Sequence, residues 1–206
     1  MDVRDLAPGL WYWLAPHPDW TPDDNWPEEV MCVYYEAADA LALFDPQVPR
    51  GEEAEFWDAL DTDVDRVGLP VCVLLTAPWH ARDTKLFVER YGADVWAHPD
   101  ARWKGPSLTT TTEAPAGVEA IVPDVDTEGQ AFFFIPEHGT LITGDMFSGT
   151  GGRFHAFFAP DEADAEAFFA WLPTLLELPI ERVLIAHGDP VLRDGVEAIR
   201  KALDSP

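Results

Sequence analysis

Positive charge is what this sequence has least of. Its 13 lysines and arginines, of which only Lys85, Lys104 and Lys201 are lysine, stand against 38 acidic residues, for a net charge of −25. Binding a polyanion needs a basic face that releases counterions, so the balance argues against nucleic acid and anionic membranes as partners. Cysteine is almost missing as well. Cys32 and Cys72 each lie in an apolar, strand-like run, where a thiol behaves as a small buried hydrophobe rather than half of a disulfide, and this points to a reducing compartment. No apolar run approaches the ~20 residues that a membrane helix requires. The opening residues Met1-Asp2-Val3-Arg4-Asp5 show no basic segment followed by an apolar one, so the expectation is a soluble, cytoplasmic protein. No repeat of solenoid or propeller period is present. The acidic, lysine-poor composition suits either a salty cytoplasm or a GC-rich genome, and neither bears on chemistry.

Apolar side chains, by contrast, are plentiful: 47% of the 206 residues are hydrophobic and 12% aromatic. That suffices for one buried core, and the length suggests a single domain spanning residues 1–206. Leu10 to Leu14 reads as an aromatic first strand. The proline-rich loop from His17 to Glu29 carries Trp20 and Trp26, as covers over the body or as pocket wall. Val30 to Tyr35 and Ala40 to Phe44 have hairpin spacing and end at Asp45-Pro46. Glu52 to Leu60 has helical periodicity, with Phe56, Trp57 and Leu60 on one face. The continuous apolar run Val71 to Leu75 predicts a strand buried on both faces. A helix from Thr84 to Tyr91, closed by Gly92, and a strand at Val95 to Ala97 complete a β-α-β unit, and an irregular stretch runs from Pro99 to Pro115. A second hairpin joins Ala131–Ile135 to Thr140–Thr143 and ends at Gly144-Asp145. A flexible loop covers Gly149 to Gly152. A helix from Ala163 to Leu178 is interrupted by Pro173, a last strand covers Arg182 to Ile185 before His187-Gly188, and a helix from Gly195 to Leu203 closes the chain.

Asp45, His80, Asp83, Asp145 and His187 all follow strand-like runs closely. If the strands are neighbours, these side chains share one rim, and imidazole nitrogen with carboxylate oxygen is a ligand set for a divalent ion. Taken one by one, each is more often a cap, a turn former or a satisfied histidine.

The order of these features along nearly the whole chain resembles the metallo-β-lactamase superfamily. The resemblance implies an α/β fold, the four-layer αββα sandwich of that family. Laid on the family's His-x-His-x-Asp-His loop, Pro78-Trp79-His80-Ala81-Arg82-Asp83 keeps His80 and replaces the rest. The family's His-Thr-x-Gly turn is similar to Asp126-Thr127-Glu128-Gly129, with Asp124 as a substitute for Asp126; the bridging aspartate matches Asp145 and the last histidine matches His187. What the resemblance implies is a first metal position of His80, Asp126 and Asp145 and a second of Asp83, Asp145 and His187. Each combines one histidine with two carboxylates, a set that admits iron, manganese or magnesium beside zinc.

Arg82 stands where the family has an aspartate ligand. A guanidinium beside a divalent ion opposes it, whereas beside Asp83, Asp126 or Asp145 it does the ion's neutralising work. This favours a metal-free pocket over one divalent metal (Zn, Fe or Mn), and one metal over two. The alternative is that Arg82 turns outward, toward a carboxylate such as Glu89. Two functions follow from the resemblance. One is a metal-dependent hydrolase of an ester, thioester, lactone or amide, with Asp83, Asp145 and His155 as catalytic candidates. The other is a metal-free small-molecule-binding protein of the same fold. His155 reads more readily as a solvated loop histidine than as a catalytic one, and His17 and His98 read as structural. An interaction module would draw on the excess of tryptophans at Trp11, Trp13, Trp20 and Trp26.

Overall fold

A computed structural model describes residues 2–102, 108–157 and 162–204. Strands Asp2–Ala7 (β1), Leu10–Pro16 (β2), Glu29–Glu36 (β3) and Leu41–Phe44 (β4) lead into helix Glu53–Val67 (α1). Strand Val71–Leu74 (β5), helix Thr84–Tyr91 (α2) and strand Asp94–Trp96 (β6) complete the first half. The second half contains Glu119–Ile121 (β7), Phe132–Ile135 (β8), Thr140–Ile142 (β9), Phe147–Ser148 (β10) and His155–Ala156 (β11). Helix Glu162–Trp171 (α3), strand Arg182–Leu184 (β12) and helix Gly195–Leu203 (α4) follow.

Two sheets carry the architecture, one ordered β1-β2-β3-β4-β5-β6 and the other β12-β9-β8-β7. Alternate side chains of a strand face opposite ways, and the sequence uses both faces. From β3, Met31, Val33 and Tyr35 join Phe44, Leu74, Phe133 and Ile142 in the layer between the sheets. Their neighbours Cys32 and Tyr34 face outward, onto Phe56 and Leu60 of α1 and Phe87 of α2. On the other sheet, Phe132, Phe134 and Val183 meet Phe168 of α3 and Ile199 of α4. The result is helix, sheet, sheet, helix: the four-layer αββα sandwich. Each fully buried ring such as Phe56 or Phe168 contributes about 1.5–3 kcal/mol by leaving water.

The β3–β4 hairpin, the two-face burial of β5 and the parallel β4-β5-β6 crossover agree with the sequence reading. Differences have local causes. α1 runs on to Val67 because the left-handed Gly68, not Leu60, ends it. The helix expected from Ala163 stops at Trp171 and continues as a 3-10 segment, Leu172–Glu177, since Pro173 removes a helical donor. β1 lies outside the expected strands: its side chains are mostly exposed, so it lacks the apolar alternation that marks a strand, and it is held by pairing with β2 and by Leu6 and Ala7 packing on the core. Within the irregular stretch 99–115, residues 103–107 lie outside the described residues. No helix among the described residues is long and apolar enough to cross a membrane.

The topology brings the ends of β4, β5, β9 and β12 to one rim. β4 and β5 run parallel, as do β9 and β12, so the residues following each strand emerge on the same side. The sheets are tied together there by Met31 N–H to the Ala186 carbonyl and Ala131 N–H to the Thr76 carbonyl, 3.0 and 2.9 Å.

Candidate functional site

Asp45 follows β4 with a left-handed φ of 48°, a conformation that aspartate tolerates better than most residues. The bend aims its carboxylate across to the end of β5. There Oδ1 accepts the Thr76 backbone N–H at 2.8 Å and Oδ2 accepts the Thr76 hydroxyl at 2.5 Å. The turn Pro78–Ala81 then carries His80 back over the same carboxylate, with Nδ1 2.9 Å from Asp45 Oδ2. His80 is buried and its ring is locked, because Nδ1–H donates to Asp45 and Nε2 must face the other way.

Nε2 faces Asp145. This aspartate follows β9 in a short 3-10 turn, Gly144–Met146, and its Oδ2 lies 3.2 Å from His80 Nε2. The Trp79 indole N–H donates to the same oxygen at 2.8 Å. Asp145 Oδ1 lies 3.3 Å from Nε2 of His187, which follows β12. Gly144 permits this approach: a Cβ there would stand 2.2 Å from the Thr76 hydroxyl oxygen.

With the Nδ1 proton directed to Asp45, Nε2 of His80 and the carboxylate of Asp145 are both acceptors, and they need a cation between them. A proton is one solution. Burial alone would lower the His80 pKa, but the charges of Asp145 and then Asp45 outweigh it and the opposing Arg82, raising it to about 9. Burial likewise disfavours the Asp145 anion, yet His80 and His187 hold its carboxyl well below the usual range. A metal ion is the other solution. Ligand atoms of His80, Asp145 and His187 all lie within 4.8 Å of one another. Donor atoms sharing a tetrahedral ion at its usual bond lengths are about 3.3 Å apart, and each histidine Nε2 lies at that distance from one oxygen of Asp145, His80 from Oδ2 and His187 from Oδ1. The Asp45–His80 bond is the carboxylate that metal-bound imidazoles characteristically hold behind them. The donor set therefore fits one divalent ion.

The remaining expected ligands are elsewhere. Asp126 does not join the trio: it is exposed in the loop between β7 and β8, bonded to the Arg102 guanidinium and accepting the Glu128 N–H at 2.9 Å. Asp124 is exposed too. Asp83 lines the pocket, but its Oδ2 accepts the Val48 N–H at 2.9 Å, and it stands outside the trio. Among the described residues Arg82 makes no ion pair with Asp83, Asp126 or Asp145. Its backbone takes a strained φ of 35°, and Nη1 donates to the Asp45 carbonyl at 2.9 Å. It neither fills the space between the trio nor turns out to Glu89, which pairs with Lys85. His155 lies on β11, where its Nδ1 meets the Arg153 carbonyl at 2.9 Å.

Above the trio opens a cavity of about 770 Å³, whose walls include Trp26, Trp79, Arg82, Phe147, His155 and Phe157. Trp26 leans on His187 with ring centroids 4.7 Å apart, and His17 meets Trp26 edge-on at 5.1 Å. Trp20 braces this wall through its indole N–H to the Trp26 carbonyl at 2.8 Å. Sequence reasoning placed Asp45 on the rim without a role and missed both His17 and the Trp79–Asp145 bond. The available signal was the density of tryptophan and proline in the loop preceding Glu29.

The sequence matches no protein-family model and no curated protein. Solved structures do match. The metallo-beta-lactamase family protein TTHA1429 from Thermus thermophilus shares 18% identity over 97% of this chain and 78% of its own, with a TM-score of 0.62. The NDM_FIM-1-like metallo-beta-lactamase from Erythrobacter litoralis, solved in a mono-zinc form, shares 20% over 98% and 94%, with a TM-score of 0.65. TTHA1623, solved in a di-iron-bound form, shares 27% over 84% and 93%, with a TM-score of 0.58. The order of the strands, the rim on which their polar ends meet and these likenesses together establish that the chain has the metallo-β-lactamase fold.

Proposed function

We propose that this protein is a metal-dependent hydrolase of a small molecule, with one divalent ion held by His80, Asp145 and His187. The observation that carries the reading is the pair of acceptors, His80 Nε2 and Asp145 Oδ2, facing each other at 3.2 Å with Asp45 fixing the opposite side of the imidazole. Two imidazoles and a carboxylate form a catalytic zinc set and equally a ferrous one. Of the similar structures, one was solved with a single zinc and another with two irons. When bound, such an ion supplies a water acidified to near neutral pH and polarises a carbonyl.

The chain's own residues do the rest. Asp45 holds the His80 ring, and Trp79 holds the Asp145 carboxylate through its indole N–H. With Nδ1 of His155 on the Arg153 carbonyl, its Nε2, which makes no hydrogen bond among the described residues, can exchange a proton with a group in the cavity, the task of a general acid or base. Asp83 adds negative charge to the wall while its backbone tie keeps it in place. Trp26, Phe147 and Phe157 shield the centre from bulk water. Esters, thioesters, lactones and amides are the substrate classes this chemistry serves.

Elemental analysis of protein purified without chelator should find one equivalent of zinc, iron or manganese, lost in His80→Ala and His187→Ala. Hydrolysis of para-nitrophenyl esters should need that metal and vanish in Asp145→Asn. Metal-free protein whose esterase activity is absent, or indifferent to chelation, sinks the proposal. A second reading draws on the raised pKa of His80: a proton bridges the trio, and the protein binds small molecules without turnover. It predicts no bound metal and ligand-induced thermal stabilisation without hydrolysis.

A further inference from the structure

Arg82 is set apart by where it sits. Arg4, Arg66, Arg90, Arg102 and Arg200 are exposed, and each holds a carboxylate, while the partly buried Arg182 donates to the His138 carbonyl away from the cavity. Arg82 is partly buried in the cavity wall and holds none among the described residues. The acidic groups near it have other neighbours: Asp45 accepts from Thr76 and His80, Asp83 from the Val48 N–H, and Asp145 Oδ2 from the Trp79 indole, with Asp145 Oδ1 facing His187 at 3.3 Å. Nη1 is fixed by the Asp45 carbonyl and lies 3.8 Å from Cys32 Sγ. Nε is buried without an acceptor. Nη2 makes no hydrogen bond among the described residues, yet it is not among the buried unpartnered atoms, so it remains open to the cavity. Arg82 is the one lysine or arginine among the described residues lining the cavity.

We propose that Arg82 reads a carboxylate on the small molecule that occupies this cavity, so that the substrate is a carboxylate-bearing ester, thioester, lactone or amide. The word substrate rests on the hydrolase reading above; the binding of a carboxylate does not. Guanidinium is planar and pairs with a carboxylate through parallel N–H bonds, and a water-poor aromatic wall strengthens that pairing. Trp26, Trp79, Phe147 and Phe157 would take the apolar body of such a molecule. The protein's charge of −25 repels anions at long range, so a local fixed cation is what admits one. Asp19, Asp83 and Asp145 on the same walls disfavour a dianion more than a monoanion, and this selects carboxylate over phosphate.

Calorimetric titration of chelator-treated protein with hydrocinnamate and its neutral amide, hydrocinnamamide, tests the assignment without turnover. The carboxylate should bind about tenfold more tightly than the amide, as a charge-assisted pair gives. Arg82→Gln should erase the preference, and Arg82→Lys, which keeps the charge but not the fork, should retain part of it. Circular dichroism of both variants guards against misfolding. Equal binding of the two probes, no binding of the carboxylate at millimolar concentration, a preference that survives in Arg82→Gln, or tighter binding of phenyl phosphate would each overturn the assignment. In metal-loaded protein, failure to hydrolyse both para-nitrophenyl acetate and mono-para-nitrophenyl glutarate would overturn the hydrolase reading and leave the carboxylate assignment to the titration.

Discussion

Asp145 and Asp126 are both expected metal ligands on sequence grounds, both sit near positive partners, and their surroundings could hardly differ more. Asp145 follows a buried strand directly, with Trp79, His80 and His187 from other segments closing around it. Asp126 lies on an exposed loop and pairs with a single arginine. A carboxylate becomes part of a site when rigid elements fix both it and its partners. Local pairing on a loop makes only an ion pair.

The largest effect should come from breaking the buried side. His80→Ala in chelated protein leaves Asp45 and Asp145 without the charge between them. Urea unfolding should show a loss of about 3–5 kcal/mol, the usual result of removing one partner of a buried ionic group. Gly144→Ala should follow, at about 1–3 kcal/mol for overpacking, because its Cβ collides with Thr76; metal should be lost with it as Asp145 shifts. Asp45→Asn keeps all three ligands but weakens the hold on His80, so competition with a chromophoric chelator should show metal affinity about 10–100-fold lower. Asp126→Ala is the contrast: metal content unchanged and less than about 1 kcal/mol lost, as for exposed ion pairs. If it strips the metal, the comparison fails.

Acid titration gives the finest discrimination. The Glu128 N–H and then Arg102 hold the Asp126 carboxyl below its ordinary value of 3.8. A carboxylate lowered on folding adds stability that is present above 3.8 and lost as pH falls through the lower folded value. Asp126→Ala should therefore lower the neutral plateau slightly and flatten the acid limb of stability below about pH 4, leaving the slope across the neutral range unchanged.

What the sequence made legible follows the same division. Asp45, Asp145 and His187 could be placed on one rim because apolar runs mark where buried strands end, and strand ends in a two-sheet core converge. Asp126 could not be placed, since nothing in Asp126-Thr127-Glu128-Gly129 encodes whether the loop turns toward the rim or away from it. Arg82 stands out in the sequence as the informative departure, but its partner does not. An arginine surrounded by aspartates in sequence is expected to pair with them; in the fold each nearby carboxylate already has donors, and Arg82 turns to a carbonyl. Trp26 reads in the sequence as cover or as pocket wall, and only its contact with His187 decides for the wall.

By itself, then, the sequence determined the layers and the strand ends. Alternating and continuous apolar runs dictate which faces must leave water, and that burial is the main driving force of folding. Tertiary structure alone decided that His80, Asp145 and His187 meet while Asp83 and Asp126 do not, and that Arg82 keeps donors open to the cavity. Those outcomes turn on separations of an ångström or two between atoms far apart in the chain, set by how two sheets register against each other, and no local pattern of residues records that.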